Sequence, residues 1–153
     1  MLDALVIGAG PSGSRTAWNL AKAGYSTTLV EEHEVVGEPC QCAGLVTPRT
    51  FEYLGYRRPV SQEMNGARLW GPKDSFLNFQ ANETKALVID RPDLDRSIAE
   101  KATDFGADLR SGHRYLGHRK LSNGIIATIQ SKSGKIELET KMLIGSDGPA
   151  SRV

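Results

Sequence analysis

The chain has 153 residues, 39% of them hydrophobic, with 19 basic and 18 acidic side chains and a net charge of +1. That length suits one globular domain able to bury about two-thirds of its unfolded surface. The balanced charge gives no electrostatic case for nucleic acid. No apolar run approaches the roughly 20 residues of a membrane span. The N-terminus lacks the basic region and cleavage site of a signal peptide, and two cysteines make no disulfide framework. A cytoplasmic protein is expected, and neutrality alone leaves contact at a membrane surface open.

Ala4 to Ile7 is an unbroken apolar run that predicts a buried parallel strand. Gly8, Gly10 and Gly13 follow it in G-x-G-x-x-G spacing. A helix is predicted from Pro11 to Ala23, with Ala17, Leu20 and Ala21 on one face and Gly24 as its cap. Thr28 to Val30 predicts a second strand, closed by Glu31, 18 residues after Gly13. Strand, glycine turn, helix, strand and acid form the dinucleotide-binding fingerprint, whose acid falls about 20 residues on. Gly8 lets the chain turn sharply, Gly10 lets backbone approach a pyrophosphate, and Gly13 lets helix pack on strand. Pro11 and Ser12 open the helix, whose N-terminus offers unpaired N–H groups and about half a positive charge. Glu31 is placed to accept hydrogen bonds from ribose hydroxyls. Glu32 beside it is the alternative, and alternation along the strand favours Glu31.

His33 to Val46 is a connection rich in Gly, Pro and Cys. Thr47-Pro48 reads as an N-cap with proline at N1, opening a short helix to Leu54 that ends at Gly55. Asn65 to Gly71, Phe76 to Phe79 and Ala86 to Asp90 read as strands of one inserted sheet. Arg91-Pro92-Asp93-Leu94 opens a second long helix, with Leu94, Ile98 and Ala102 on one face and Gly106 after it. Ala107 to Arg110 is a short strand. His113 to Lys120, Ile125 to Gln130 and Lys135 to Glu139 read as a meander joined at Asn123-Gly124 and Ser133-Gly134. Met142 to Ile144 is a last strand entering Gly145-Ser146-Asp147-Gly148.

Cys40 and Cys42, taken by themselves, read as small buried hydrophobes. Cys-x-Cys is not the redox Cys-x-x-Cys, a disulfide across one residue is strained, and zinc would need more ligands, so no metal is expected. His113 and His118 read as surface residues of the meander, and Trp18 and Trp70 as packing residues. A simple nicotinamide dehydrogenase would continue as α/β repeats. A meander between the third and fourth parallel strands is the layout of large FAD-binding domains.

Four motifs then carry a resemblance. They are Val6 to Ser14 with Glu31; Gly37-Glu38-Pro39-Cys40-Gln41-Cys42-Ala43-Gly44; Arg91 four residues before Asp95; and Gly145 to Ser151 around Asp147-Gly148. With them the chain resembles the N-terminal part of an FAD-dependent oxidoreductase of the geranylgeranyl reductase family, a group similar in fold to p-hydroxybenzoate hydroxylase. Many relatives carry glycine directly after the cysteine that matches Cys42, where this chain has Ala43.

The resemblance implies an α/β fold, a Rossmann-like FAD-binding domain of the glutathione reductase type. Its parallel sheet would carry a three-stranded meander and an inserted small β-sheet. It would fill residues 1–153, with the nucleotide-binding βαβ at 1–31, an insertion at 47–90, and the helix, strand, meander and last strand at 91–153. It implies FAD contacts from Gly8, Gly10, Pro11, Ser12, Gly13, Glu31 or Glu32, from Pro39, Cys42, Ala43 and Gly44, and from Arg91, Asp147 and Gly148. Cys42 would lie near the flavin and the substrate. The implied reaction is reduction of isoprenoid double bonds in lipids or a chlorophyll precursor. Reduced FAD would give hydride to one alkene carbon, and an acid or water would protonate the other. NAD(P)H or ferredoxin is the implied electron donor. Expected partners are a polyprenyl lipid, an electron-donor protein and a membrane surface met by a part outside this sequence. Family members continue well past the Asp-Gly motif. A domain fragment that holds FAD weakly and does not turn over by itself is therefore expected. Two other activities share the fold: an electron-transfer flavoprotein dehydrogenase, and an aromatic monooxygenase using NAD(P)H and oxygen. A binding-only module is the alternative from a different class.

Overall fold

The structure is a computed structural model describing residues 1–40 and 42–153. In chain order its first elements are β1 (Leu2–Ile7), α1 (Pro11–Lys22), β2 (Thr27–Val30), β3 (Leu45–Val46), α2 (Arg49–Leu54), β4 (Val60–Met64), β5 (Gly66–Trp70), β6 (Phe76–Gln80) and β7 (Ala86–Ile89). They are followed by α3 (Arg91–Asp104), β8 (Asp108–Arg110), β9 (Arg114–Lys120), β10 (Ile125–Ser131) and β11 (Gly134–Gly145). The chain divides into two units, residues 1–39 with 95–153, and residues 40–94.

The first unit is built on a six-stranded sheet in the order β8-β2-β1-β11-β10-β9. β1 lies between two parallel neighbours, pairing Ala4 with Thr27 through Ile7 with Val30 on one side and Leu2 with Thr140 through Ile7 with Gly145 on the other. A parallel strand covered on both faces needs no polar alternation, so Ala4 to Ile7 is buried throughout.

The helix after it buries Ser14, Ala17, Trp18 and Ala21, an i, i+3, i+4, i+7 stripe. Trp18 takes the place expected of Leu20, which is only half-buried. Its ring stacks on Phe105 at 6.1 Å between centroids, and the Arg15 guanidinium lies 4.1 Å over it.

The structure merges two expected strands. Lys135 to Glu139 and Met142 to Ile144 are one continuous β11 that changes partner at Thr140. Thr140 opposes Ile125 of antiparallel β10 and Leu2 of parallel β1. Thr140-Lys141 reads as a polar break, yet Thr140 is fully buried because its hydroxyl donates to the Met142 carbonyl at 2.8 Å. A single cluster joins Leu5, Ile7 and Val30 to Tyr115, Ala127 and Ile129 of the meander, so the meander covers one face of the parallel strands. A bulge leaves Leu116 between the Ile129–Tyr115 and Thr128–Gly117 pairs. That extra residue returns Tyr115 and His118 to one face, with hydroxyl and Nδ1 2.6 Å apart. His118 is thus an exposed residue bonded to a core tyrosine, and His113 is half-buried with Nδ1 2.7 Å from the Ser111 carbonyl oxygen.

The second unit holds two sheets where one was expected, a three-stranded β3-β7-β4 and a two-stranded β5-β6 ribbon. Val-Ser-Gln-Glu-Met in β4 is too polar to read as a strand. The short helix starts at Arg49, with Pro48 at the N-cap and no side-chain cap, so Thr47 does not cap it as expected. Gly55 ends it in the left-handed region at φ 76°. Asp90, at the head of α3, accepts the Asp93 N–H at 2.9 Å. Trp70, expected to pack, is exposed on the ribbon. Among the described residues, no helix is long and apolar enough to cross a membrane.

Candidate dinucleotide site

Three backbone segments converge at the C-terminal ends of β1 and β11. The Gly8 N–H donates to the Val30 carbonyl at 2.7 Å, and the Ser146 N–H donates to Ile7 at 2.8 Å. Gly8 has φ +96°, and a Cβ there would overlap the Ser146 carbonyl, so glycine is demanded twice. A Cβ on Gly13 would overlap the Gly8 carbonyl, which fixes how closely α1 approaches the loop. Ser14 is fully buried and its hydroxyl donates to the Ala9 carbonyl at 2.9 Å.

Gly10 behaves differently. Its φ is −67°, and a Cβ would meet no protein atom within 4 Å. The protein's own packing does not require glycine there. The open space beside it leaves room for a group lying against the loop, as a pyrophosphate does in this fingerprint. Gly10 is also the N-cap of α1, with no side-chain cap and no acid in the first turn. The positive end of the helix therefore keeps its attraction for an anion. Pro11 and Ser12 form that first turn. These residues fit the phosphate part of FAD.

Glu31 reaches back to the loop. Its Oε2 accepts the Ala9 N–H at 2.8 Å, and its Oε1 accepts the His33 N–H at 3.0 Å and lies 2.7 Å from His33 Nδ1. Glu32 points elsewhere, exposed and 3.5 Å from Arg114. The geometry thus separates two acids that the sequence left as alternatives.

Asp147 organises the turn that follows β11. Its carboxylate accepts the Ser151 hydroxyl at 2.7 Å and the Arg152 N–H at 2.8 Å. Burial works to raise its pKa, but these donors outweigh burial and hold the carboxyl below its ordinary value. Gly148 follows at φ 80°. Burial, and then the charge of Asp147, push the Tyr115 hydroxyl above its ordinary value.

The first unit therefore brings together Gly8, Gly10, Pro11, Ser12, Gly13, Glu31, Asp147 and Gly148, and ends its first segment at Pro39. Cys42, Ala43, Gly44 and Arg91 belong to the second unit. Cys40 and Cys42 are both exposed, against their reading as buried hydrophobes, and the Cys40 thiol donates to the Cys42 carbonyl at 3.4 Å. Gly44 has φ +70°, and a Cβ would overlap the Ile89 carbonyl, so close packing against β7 already demands glycine there. Arg91 is the first residue of α3 and is half-buried. Sequence reasoning passed over Ser14, Ser146 and His33. Ser14 was visible as a polar member of the α1 stripe, whereas Ser146 and His33 depend on contacts between distant segments.

A family model described as FAD binding domain matches residues 1–153. The chain belongs to the FAD-binding domain family. It is 30% identical to digeranylgeranylglycerophospholipid reductase 1 of Methanosphaera stadtmanae, over 97% of this chain and 38% of that relative. It is 31% identical to the digeranylgeranylglycerophospholipid reductase of Picrophilus torridus, over 95% of this chain and 39% of that relative. A crystal structure of a geranylgeranyl bacteriochlorophyll reductase-like protein from Thermoplasma acidophilum superposes with a TM-score of 0.86 at 28% identity, covering 96% of this chain and 39% of that one. Aklavinone-11 hydroxylase, solved with FAD and aklavinone, shares the fold at a TM-score of 0.79 and 22% identity, over 99% of this chain and 34% of that one. The resemblance to geranylgeranyl reductases and the expected Rossmann-like fold are borne out. The chain spans about two-fifths of the curated relatives it matches, 38% of one and 40% of another.

Proposed function

We propose that the chain is the FAD-holding portion of an oxidoreductase that reduces isoprenoid double bonds. One observation carries the cofactor reading: Gly10, an N-cap glycine that no protein atom requires, at the uncapped head of α1. The names of the reductase relatives support the substrate class. The N–H groups of Gly10, Ser12 and Gly13 at the α1 N-terminus would take the pyrophosphate, and Glu31 the adenosine ribose. Asp147 holds the 147–152 turn in shape for further phosphate or ribitol contacts. Arg91, with a guanidinium suited to phosphate or ribose oxygens, and the Pro39 to Gly44 segment with Cys42 would serve the same cofactor. FAD supplies the redox chemistry when bound, and the protein supplies position and electrostatics. A polyprenyl lipid as substrate, NAD(P)H or ferredoxin as donor, and cytoplasmic work at a membrane surface belong to the same proposal.

The test is a flavin titration of the purified chain, followed by visible absorbance and quenching. Gly10→Val is expected to weaken FAD binding by at least about tenfold, the effect of losing about 1.4 kcal/mol of contact. Its melting temperature should change little, because the Cβ of the new side chain enters open space with no non-neighbouring protein atom within 4 Å. Undiminished FAD binding by Gly10→Val would show the pyrophosphate contact to be misplaced. A full-length protein carrying this chain that reduces FAD but leaves every polyprenyl substrate untouched would overturn the substrate class.

A further inference from the structure

The geometry points to His33 as a gate on the ribose position: its imidazole fills the acceptor site on Glu31 that a second ribose hydroxyl needs, and it must release when a nucleotide binds. This inference rests on the dinucleotide reading of Glu31 given above. An ionised carboxylate offers about four acceptor positions. Three are filled here, one on Oε2 by Ala9 N–H and two on Oε1 by the backbone and ring nitrogens of His33. A ribose presents two adjacent hydroxyls. One can reach the open position on Oε2, and the other meets an occupied Oε1.

Of the three donors, the ring is the one that can leave. The backbone around it is pinned: the Glu31 N–H donates to Arg110 at 3.0 Å, the His113 N–H to Glu31 at 2.8 Å, and the Gly112 N–H to His33 at 2.9 Å. The Glu31 side chain is 13% exposed, whereas the imidazole is 48% exposed and can turn into solvent. The neighbouring charged groups already have partners. Glu32 lies 3.5 Å from Arg114, Glu34 lies 3.0 Å from Lys132, and Arg110 lies 2.7 Å from Asp108. His113 turns its Nδ1 to the Ser111 carbonyl at 2.7 Å.

A protonated ring holds a carboxylate through a charge-assisted bond, and a neutral ring does so only in its Nδ1–H form.

Flavin titrations on wild type, His33→Ala and Gly10→Val test this. His33→Ala is expected to bind FAD about three- to fivefold more tightly than wild type, the range of an exposed ion pair. In wild type, the hydrogen-bonded Nδ1–H proton signal of the ring should disappear on saturation with FAD. Equal or weaker binding by His33→Ala, or an Nδ1–H signal that survives saturation, overturns the gate. If Gly10→Val still weakens binding in that case, the dinucleotide reading stands without it. No FAD binding by wild type overturns both.

Discussion

Two stretches of this chain carry large apolar side chains with opposite fates. Leu5 in β1 is 0% exposed, while Leu77 in the β5-β6 ribbon is 64% exposed. β1 has a parallel strand on each side and the meander over one face. The ribbon has two strands, and its large residues meet mainly one another across the ladder. Leu69 opposes Leu77, and Trp70 opposes Phe76 at 5.2 Å between ring centroids, with the Arg68 guanidinium 4.7 Å over Phe76. A two-stranded ribbon is marginal in water, because neither face gains the cover that makes apolar burial favourable. Hydrophobic content says which residues seek cover, and the number of paired strands decides which of them obtain it.

The largest expected effect tests that contrast directly. Leu5→Ala removes a fully buried side chain from the cluster under the meander and should cost about 2–5 kcal/mol of unfolding free energy. Leu77→Ala should stay within about 0.5 kcal/mol, as an exposed substitution does. Urea unfolding of both variants checks it. Comparable losses would mean that the ribbon is as well packed as the parallel core.

The glycines sharpen the comparison. A Cβ on Gly13 overlaps the Gly8 carbonyl, a backbone atom that cannot swing aside. Gly13→Ala should therefore cost about 1–3 kcal/mol by overpacking, with FAD affinity falling as α1 shifts. Gly55 in the second unit has open space around a Cβ, and its φ is 76°. Gly55→Ala meets only the left-handed backbone penalty of about 1–2 kcal/mol and should leave FAD affinity alone. Melting curves and flavin titrations on the same pair separate the two kinds of glycine. A Gly13→Ala protein that melts and binds like wild type would remove the steric basis for the loop's shape.

How far each region was legible follows the same division. Ala4 to Glu31 could be read almost residue by residue, because a buried parallel strand, a glycine turn and a small-residue helix stripe are local patterns. Gly8 and Gly13 showed their spacing in the sequence, but their steric partners lie at Ser146 and on the loop itself. β4 and the union of β11 were not legible. Val-Ser-Gln-Glu-Met is polar because its strand is largely exposed, and Thr140 looks like a break until its hydroxyl finds the Met142 carbonyl. Glu31 was found from spacing. That its carboxylate is already bonded to Ala9 and His33 depends on where the loop folds back.

The smallest expected effect concerns Tyr115. Its ring belongs to the buried cluster, and its hydroxyl lies 2.6 Å from His118 Nδ1. Burial, and then the negative charge of Asp147, favour the neutral phenol and raise its folded pKa above the ordinary 10.0. In the unfolded chain the phenol titrates at about 10. A group raised on folding leaves stability intact below the unfolded value, and stability is lost as pH climbs from there to the folded value. Wild type should therefore weaken from about pH 10 upward, beyond any general alkaline loss. Tyr115→Phe removes the titrating group and should flatten that part of the curve, at a neutral-pH cost of about 0.5–1.5 kcal/mol for the lost hydrogen bond. Tyr53→Phe, at an exposed site in the second unit, is the matched control and should stay within about 0.5 kcal/mol at neutral pH. If Tyr115→Phe weakens above pH 10 as steeply as wild type, the phenol's linkage to the core and to Asp147 does not govern alkaline stability.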